Sequence, residues 1–442
     1  MKNKAILAAL LAWGSLAAAA DQPQAVPEAS KPLVIIHAGT LIAVPGEAPQ
    51  REQSIVVRGD RIEAVTAGYV VRPGARIVDL SQLTVLPGLI DSHVHLAKRR
   101  SKTPARGREQ LTLNALENAA VTLKAGFTTV RDLGGDPRTL FAVRDAIQQG
   151  RFPGPRVLTA GTIVAVTEGH GAGAGPIAAG EDPRTAPLSG ICDGPYQCRA
   201  TIRGLIGAGA DVIKIAASGG GSEENGTEDA APEMAQDEMV AIVETAHALN
   251  RKVAAHAHGT ASINAALRAG VDSIEHGGFS NAESIKLFKA HGAYLVPTLS
   301  VLSGLEVEYP TADPKIKSMV GNFLAKMPGN VGAVYRAGVP IAFGTDAGIT
   351  QHGQNALEFQ WYKKIGMSEA DALRTATINA ARLLGVEAQV GSIAVGKYAD
   401  IIATAANPLQ DISTLRNVVY VMKGGATVRA YEGAAAADRP AG

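Results

Sequence analysis

The sequence lacks the features that mark several large classes of protein. Its 442 residues carry 42 basic and 41 acidic side chains, so the formal net charge is +1. A charge so nearly balanced gives no field strong enough to recruit nucleic acid or an anionic membrane surface. Aromatic residues make up 4% of the chain, whereas the 49 glycines suit close packing of helices on strands. We therefore expect a globular protein whose partner is a small molecule or a peptide.

Long apolar runs are also scarce, apart from a short one at the N-terminus. Residues 1–20 have the three-part pattern of a secretory signal peptide: two lysines, an apolar segment at 5–13, and a tract of small residues. The apolar segment is shorter than the roughly 20 residues that span a bilayer, and no cysteine follows it to accept a lipid. The pattern predicts cleavage after Ala20, a flexible lead-in at 21–31, and a periplasmic or secreted product without a membrane anchor. An uncleaved anchor is the alternative.

Cysteine occurs twice, as Cys192 and Cys198. An oxidising compartment permits these two residues to form a disulfide that closes the turn between them. Two free thiols are the alternative. A cysteine-based zinc site is disfavoured because the chain has no second pair.

Short β-branched runs, separated by Gly, Pro and Asp, occur near both ends of the chain. They lie at residues 33–42, 54–65, 75–79, 391–403 and 418–428. Such runs predict strands joined in antiparallel hairpins. Two strand-rich ends around a different middle predict one small β-sandwich domain, built from residues 32–87 and 388–432.

The middle of the chain, residues 88–387, alternates apolar strand-like runs with helical stretches. The predicted strands are residues 89–96, 128–133, 156–160, 212–217, 252–258, 273–276, 294–297 and 340–345. Helices are predicted between them, at residues 109–125, 232–249, 260–269 and 282–290 among others. Eight such alternations predict an α/β fold of the (β/α)8, or TIM, barrel type. In that fold the chemistry lies at the C-terminal ends of the strands.

Five of the predicted strands carry a metal-competent side chain on or just after them. His93 and His95 are two residues apart, so on a strand they face the same side. The other such residues are Lys214, His256, His258, His276 and Asp346. Imidazoles and a carboxylate form a ligand set suited to zinc or a similar divalent ion. A buried strand with two incidental histidines is the alternative for His93 and His95 alone.

Lys214 lies between isoleucines in a strand that is predicted to be buried. Burial disfavours the ammonium ion, so it would lower the pKa of this lysine and favour the neutral amine. A neutral amine can take up carbon dioxide to give a carbamate, which is anionic and can bridge two metal ions. The alternative is a Lys214 side chain that faces outward or pairs with an acid.

Taken in order along the chain, these motifs resemble the signature set of the metal-dependent amidohydrolase superfamily. They are residues 86–95, Lys214, His256, 273–277 and 344–348, followed by 379–385 and 391–401 as the return to the β domain. Within the superfamily the chain resembles the branch of imidazolonepropionase-like enzymes and Xaa-Arg and Xaa-Lys dipeptidases that includes ochratoxinases. The resemblance covers nearly the whole mature chain. It implies a distorted barrel with a binuclear metal centre and a carboxylated Lys214.

The resemblance also implies a role for each side chain of the site. His93, His95 and Asp346 would hold one divalent ion, zinc by preference. His256 and His276 would hold the second ion, and carboxylated Lys214 would bridge the two. Two further residues would bind the substrate, namely His170 and His258. His170 matches a substrate-contacting histidine of that branch. His258 stands where relatives carry a tyrosine that holds the substrate's free carboxylate, and this departure leaves the specificity open.

The function implied by the resemblance is hydrolysis of the amide bond in N-acyl or N-aminoacyl L-amino acids, with ochratoxin-like amides among the candidates. A hydroxide that bridges the two ions would be the nucleophile. Asp346 would move the proton from water to the leaving nitrogen, and His170 would donate to the developing oxyanion. The family also implies a homo-oligomer, with an octamer as one option. The alternatives are a cyclic amidase or lactonase and, in another class, a non-catalytic metal- or solute-binding barrel.

Three weaker features allow two interpretations each. Residues 98–100, Lys-Arg-Arg, either attract an acidic substrate or are solvated loop charges. Glu275 either orients a metal-ligating histidine or forms a salt bridge on the other face of its strand. Residues 218–222, Ser-Gly-Gly-Gly-Ser, either bind a carboxylate with backbone donors or form a flexible loop.

Overall fold

The computed structural model describes residues 31–98, 107–172, 188–220, 226–308 and 313–432. The predicted signal peptide at 1–20 and all but the last residue of the lead-in at 21–31 lie outside this part of the chain. So do Arg99, Arg100, Gly221 and Ser222 of the weaker candidate motifs. Within these ranges no helix is both long enough and apolar enough to cross a membrane.

The strands and helices of the described residues alternate along most of the chain. The strands are β1 (Leu33–Leu41), β2 (Gln50–Arg58), β3 (Arg61–Ala67), β4 (Arg76–Pro87), β5 (Leu89–Val94), β6 (Phe127–Asp132), β7 (Arg156–Thr159), β8 (Ile163–Val164), β9 (Ile213–Ala216), β10 (Val253–Ala257), β11 (Ser273–His276), β12 (Tyr294–Val296), β13 (Ile401–Thr404), β14 (Val418–Lys423) and β15 (Ala426–Arg429). The α-helices are α1 (Gly107–Lys124), α2 (Pro137–Gln148), α3 (Pro195–Ala208), α4 (Gln236–Ala248), α5 (Thr260–Ala269), α6 (Ala282–His291), α7 (Val301–Glu308), α8 (Pro314–Arg336), α9 (Glu358–Lys364), α10 (Glu369–Arg374) and α11 (Ala380–Leu384).

Both ends of the chain contribute strands to one seven-stranded sheet, where the prediction was a β-sandwich built from both ends. Its strand order is β15-β14-β13-β4-β1-β2-β3. The C-terminal part joins the N-terminal part where β13 pairs antiparallel with β4, with Ile401 opposite Pro87. The two sides of β1 are buried in different clusters, Val34 and Ile36 in one and Ile35 in the other, so both faces of the sheet are covered.

The β domain differs from the prediction in two places. The predicted run at 391–403 is a strand only from Ile401, because Gly391 and Gly396 adopt left-handed backbone angles, with φ of 86° and 85°, that interrupt an extended strand. In addition, β1 and β4 pair in parallel. The β2–β3 hairpin lies between them in sequence, so β4 returns to the sheet on the other edge of β1.

The middle of the chain forms the predicted (β/α)8-type barrel. Strands β5, β6 and β7 pair in parallel in one sheet, and β8 to β12 do so in a second. The segment 340–347 lies between the free edges of the two sheets: the backbone N–H of Ala342 donates to the carbonyl of Leu295 (3.0 Å), and that of Ser92 donates to the carbonyl of Phe343 (2.8 Å). This segment is the eighth strand position, between β12 and β5.

The barrel is distorted at its third strand. The predicted strand at 156–160 ends as β7, which pairs with β6, and the chain resumes as β8, which pairs with β9. Between them Gly161 has a φ of 75°, an angle that side-chain-bearing residues rarely adopt. The third strand position is therefore occupied by two short strands. The first, β7, pairs with β6, and the second, β8, pairs with β9.

Capping residues explain where several helices begin and end. The side chain of Asp136 accepts from the backbone N–H of Thr139 at the start of α2 (2.7 Å), and Pro137 fills the first helical position. Helices α5 and α6 end at Gly270 and Gly292, both in the left-handed conformation. These signals are readable in the sequence, which is why the predicted bounds of α5 and α6 agree closely with the structure.

Cys192 and Cys198 form a disulfide, and both residues are fully buried. The disulfide loop is bound to the loop that follows β8. The backbone N–H of Cys192 donates to the carbonyl of Ala165 (2.9 Å), and the hydroxyl of Thr167 donates to the carboxylate of Asp193 (2.6 Å). The bridge therefore helps to fix the segment that leads to His170.

Candidate metal centre and substrate pocket

The eight side chains proposed for the site converge on one cavity of about 240 Å³ at the C-terminal rim of the barrel. Those lining residues are His93, His95, His170, Lys214, His256, His258, His276 and Asp346. They come from β5, β9, β10, β11, the closing segment and the loop after β8. The structure thus brings all the predicted site residues together.

Left-handed backbone angles occur where three of the barrel strands end. His276, Thr298 and Asp346 have φ values of 71°, 50° and 55°. Such angles are uncommon for residues with a side chain, and they concentrate at functional sites. At His276 the angle lets consecutive residues point into the barrel: both Glu275 and His276 lie beside the ring of His93. A regular strand would place them on opposite faces.

The imidazoles and the carboxylate of Asp346 are close enough to share metal ions. One ligand atom from each of His256, His258 and His276 can be chosen so that all three lie within 4.8 Å of one another. The same holds for His93, His276 and Asp346. The Nε2 atom of His95 lies 3.3 Å from Oδ1 of Asp346, which brings the second histidine of the His-Val-His motif to the same carboxylate.

Hydrogen bonds orient the rings of the metal-site histidines. The Nδ1–H of His93 donates to Oε2 of Glu275 (2.8 Å), and that of His95 donates to the carbonyl of Gly134 (2.7 Å). Because those acceptors have no proton to give, each ring must keep its proton on Nδ1 and a free electron pair on Nε2. The ring of His256 is held the other way, since its Nε2–H donates to the carbonyl of Gly219 (3.1 Å). Its free electron pair is therefore on Nδ1.

Burial keeps these histidines neutral. Burial, assisted by neighbouring positive charge, lowers the pKa of His93, His256 and His276 well below the usual value. It lowers the pKa of His95 and of His258 to about 3. Neutral imidazoles with oriented electron pairs are the form of histidine that binds metal ions.

Lys214 and Asp346 are the two groups at the cavity whose ionisation is most finely balanced. Lys214 is 2% exposed, and burial lowers its pKa to about 8. Burial raises the pKa of Asp346 to about 7. Neither Nζ of Lys214 nor Oδ1 of Asp346 has a hydrogen-bond partner among the described residues. Buried polar atoms are rarely left unpaired, so both atoms suit a site that holds cations and a carbamate.

A buried ion pair lies beneath His93, and only one of its two members was singled out from the sequence pattern. Glu275 is fully buried and accepts from His93 through Oε2 and from the guanidinium of Arg131 through Oε1 (2.8 Å). Glu275 therefore orients His93, as one interpretation held. It also forms a salt bridge, but inside the barrel and not on the other face of its strand. Sequence reasoning missed Arg131, which also donates to the carbonyl of Ser92 (2.6 Å). Its signal was a charged residue within a predicted barrel strand.

Asp91 is a second buried acid that sequence reasoning missed. Its carboxylate accepts from the hydroxyl of Thr345 (2.6 Å) and the amide of Asn355 (2.7 Å). It also accepts from the backbone N–H of His93 (3.1 Å). The hydrogen bonds of Asp91 thus link β5, which carries His93, to the segment that carries Asp346.

The two proposed substrate-binding histidines differ in their surroundings. His170 stacks on the ring of His256 at 4.3 Å between centroids, and its backbone N–H donates to Glu233 (2.8 Å). The ring of His258 stacks on the ring of His276, with 4.9 Å between the centroids. It packs edge-to-face with the ring of Phe323 at the same centroid distance. A ring nitrogen of His258 lies within 4.8 Å of ring nitrogens of His256 and His276, so its position suits either a substrate contact or a metal ligand.

The rest of the cavity wall is mainly apolar. It includes Ile163, Val301, Leu302, Leu305, Phe323, Met327 and Ile349. Among the described lining residues the one carboxylate is Asp346, and the cations are Lys98 and Lys214. Gly220, from the Ser-Gly-Gly-Gly-Ser segment, also lines the cavity. An apolar chamber with charged groups near the metal-competent side chains can bind an amphipathic small molecule.

Comparison with known proteins agrees with this geometry. Residues 84–428 match the sequence model of the amidohydrolase family. The chain is 33% identical to an ochratoxinase of Aspergillus niger, over 89% of this chain and 86% of the ochratoxinase. The fold is similar to that of a Xaa-Pro dipeptidase with bound methionine (TM-score 0.82, 36% identity, 89% of this chain and 99% of the dipeptidase). It is also similar to that of a prolidase complexed with N-methylphosphonate-L-proline (TM-score 0.80, 30% identity, 90% of this chain and 100% of the prolidase).

Proposed function

Because this chain belongs to the amidohydrolase family and is a hydrolase that acts on amide or peptide bonds, we propose that its substrates are N-acyl or N-aminoacyl L-amino acids. The observation that supports this most directly is the cavity itself. It combines the metal-competent set with an apolar wall and room for a small substrate. The relatives are an ochratoxinase, a dipeptidase and a prolidase, and these names agree with a small amide or dipeptide as the partner.

The proposed centre holds two divalent ions, zinc by preference. His93, His95 and Asp346 would hold one ion, and His256 and His276 the other, with the carbamate of Lys214 between them. These residues fit a pair of metal ions. The oriented imidazoles have free electron pairs, and Lys214 Nζ and Asp346 Oδ1 have no hydrogen-bond partner among the described residues. When bound, the ions would activate a water molecule and polarise the scissile carbonyl.

Asp346 is the proposed proton carrier. Its carboxylate would accept a proton as the water attacks the carbonyl carbon. The same carboxyl group would then give that proton to the amide nitrogen, and the carbon–nitrogen bond would break to release the amino acid.

His170 is proposed to donate a hydrogen bond to the carbonyl oxygen as negative charge develops there. Its backbone is fixed by Glu233, and its loop is fixed by the disulfide loop through Thr167. A donor held in this way needs little reorganisation in the transition state. The apolar wall opposite, with Leu302 and Phe323, would exclude water and receive the apolar part of the substrate.

The test is to incubate the metal-loaded protein with a panel of N-acyl amino acids, dipeptides, cyclic amides and lactones. We expect release of free amino acid from N-acyl amino acids and dipeptides, loss of that release on treatment with a chelator, and two metal ions per chain by elemental analysis. Faster turnover of the cyclic amides or lactones would favour the alternative chemistry. Metal binding without turnover of any of these compounds would favour a non-catalytic barrel.

We also propose that the chain is exported, with cleavage after Ala20. The proposal is supported by the sequence of residues 1–20 and agrees with a disulfide between Cys192 and Cys198. Protein isolated from the periplasm or the medium is expected to begin at Asp21 and to show no free thiol when unfolded without reductant. Retention of Met1 would contradict the cleavage. A homo-oligomer, an octamer included, stays a prediction from the family resemblance.

A further inference from the structure

Lys98 is a cation at the cavity whose role the proposed chemistry leaves open. It follows the metal-site histidine His95 by three residues, and its backbone N–H donates to the carbonyl of His95 (3.0 Å). Its side chain is exposed and lines the cavity. Among the described residues no hydrogen bond or close ion pair holds the Lys98 side chain in place. Its positive charge does act on the carboxylate of Asp346, where it opposes the rise in pKa that burial causes.

We propose that Lys98 determines specificity by binding the free α-carboxylate of the amino acid portion of the substrate. This inference rests on the proposed function and names the group that its substrate must carry. A lysine ammonium is positively charged throughout the neutral pH range, and a carboxylate leaving water for an apolar cavity needs such a partner.

The other cation at the cavity does not suit this role. Lys214 is 2% exposed and lies inside the barrel on β9, where the proposed function uses its nitrogen in the metal centre. His258, the position that the family resemblance associates with the carboxylate, is enclosed by the rings of His256, His276 and Phe323. Among the described lining residues, Lys98 is therefore the cation that remains available to a substrate.

The position of Lys98 agrees with the covalent structure of the substrate. Asp346 would deliver its proton to the leaving nitrogen, and in an α-amino acid one carbon separates that nitrogen from the carboxylate. Lys98 lies on the same side of the cavity as Asp346: a Cβ atom on Gly348, two residues after Asp346, would lie 3.1 Å from the Cβ atom of Lys98. A substrate that offers its nitrogen to Asp346 can thus extend its carboxylate towards Lys98.

The experiment compares two probes, N-acetyl-L-phenylalanine and its carboxamide. The acid carries a negative carboxylate where the carboxamide carries a neutral amide. The variants are Lys98→Gln and, as a matched control, Lys289→Gln. Lys289 is an exposed lysine in the last turn of α6, at the other end of the barrel from the strand C-termini. The inhibition constant or Kd of each probe is measured on the metal-loaded protein, and turnover is measured in the same samples.

We expect the unmodified protein and Lys289→Gln to bind the acid about tenfold more tightly than the carboxamide, a factor that corresponds to about 1.4 kcal/mol. Lys98→Gln should lose this preference by weakening binding of the acid alone. Added salt should weaken binding of the acid in the unmodified protein and not in Lys98→Gln.

The proposal is overturned if Lys98→Gln weakens both probes equally, if the unmodified protein does not prefer the acid, or if neither probe binds. Those results are separate from a failure of the proposed function. A protein that prefers the acid through Lys98 but releases no amino acid would retain the carboxylate site and refute the hydrolysis.

Discussion

Replacing Asp346 by asparagine is expected to lower kcat by a factor of about 10²–10⁴, the range that a positioned acid–base group contributes. The amide of asparagine has nearly the shape of the carboxylate but cannot accept and return a proton near neutral pH. Oδ1 of Asp346 lies 3.3 Å from Nε2 of His95 and 3.7 Å from Nε2 of His93. An amide oxygen at that place can still face the metal site.

The backbone at position 346 should tolerate this change. Asp346 has a φ of 55°, and asparagine is among the residues that adopt left-handed angles most readily. The variant is therefore expected to fold with an unfolding midpoint close to that of the unmodified protein. Most other substitutions at this position would add backbone strain to the chemical effect.

The measurement is kcat for an N-acyl amino acid together with the metal content of the same preparation. Asp136→Asn is the matched control, since it makes the same chemical change at a buried aspartate that caps α2, where asparagine caps equally well. It should leave kcat unchanged. An active Asp346→Asn enzyme with full metal content would remove Asp346 from the proton transfer.

Much of the site could be predicted from the sequence because it depends on strand periodicity. His93 and His95 face one side of β5, and both line the cavity as their spacing requires. The strand and helix pattern of the barrel could be predicted for a different reason, because buried parallel strands are rich in apolar residues. The position of each metal-competent residue near the end of a strand then placed these residues on one rim.

Other features depend on backbone angles and contacts that the sequence pattern does not show. The left-handed angle at His276 breaks the strand alternation, so Glu275 could not be assigned to one face in advance. The split between β7 and β8 and the irregular run before Ile401 likewise follow from glycines whose angles depend on their neighbours in the fold. Arg131 is far from Glu275 in sequence, and only the closed barrel brings them together.

Replacing Glu275 by glutamine is expected to weaken metal binding by about 10- to 100-fold, the usual effect of losing a partner that orients a ligating histidine. Glu275 accepts from three donors: Nδ1 of His93 at Oε2, and the guanidinium of Arg131 and the hydroxyl of Ser273 at Oε1. A glutamine has one accepting oxygen and one donating nitrogen. If the oxygen faces Arg131, the nitrogen faces His93 and forces its proton onto Nε2, where the free electron pair is needed.

The opposite orientation of the glutamine is also unfavourable. Its nitrogen would then face Arg131, whose guanidinium has donors only. In either orientation the buried positive charge loses its counter-ion. Breaking a buried ion pair by removing one charge costs about 3–5 kcal/mol. The structure therefore predicts a loss of stability as well as a loss of metal affinity, because Arg131 is 2% exposed and cannot turn to water.

The two losses can be separated with a second buried glutamate. Glu238 accepts from the backbone N–H groups of Gly194 (2.6 Å) and Ala235 (2.8 Å) outside the barrel interior. Glu238→Gln should lower the free energy of unfolding without changing metal affinity. Denaturant unfolding of the metal-free proteins and competitive titration with a metal indicator give both quantities. The contrary result is that Glu275→Gln binds metal as tightly as Glu238→Gln does in the titration. That result would mean that the ion pair beneath His93 stabilises the fold but does not orient Nε2 of His93 towards the metal.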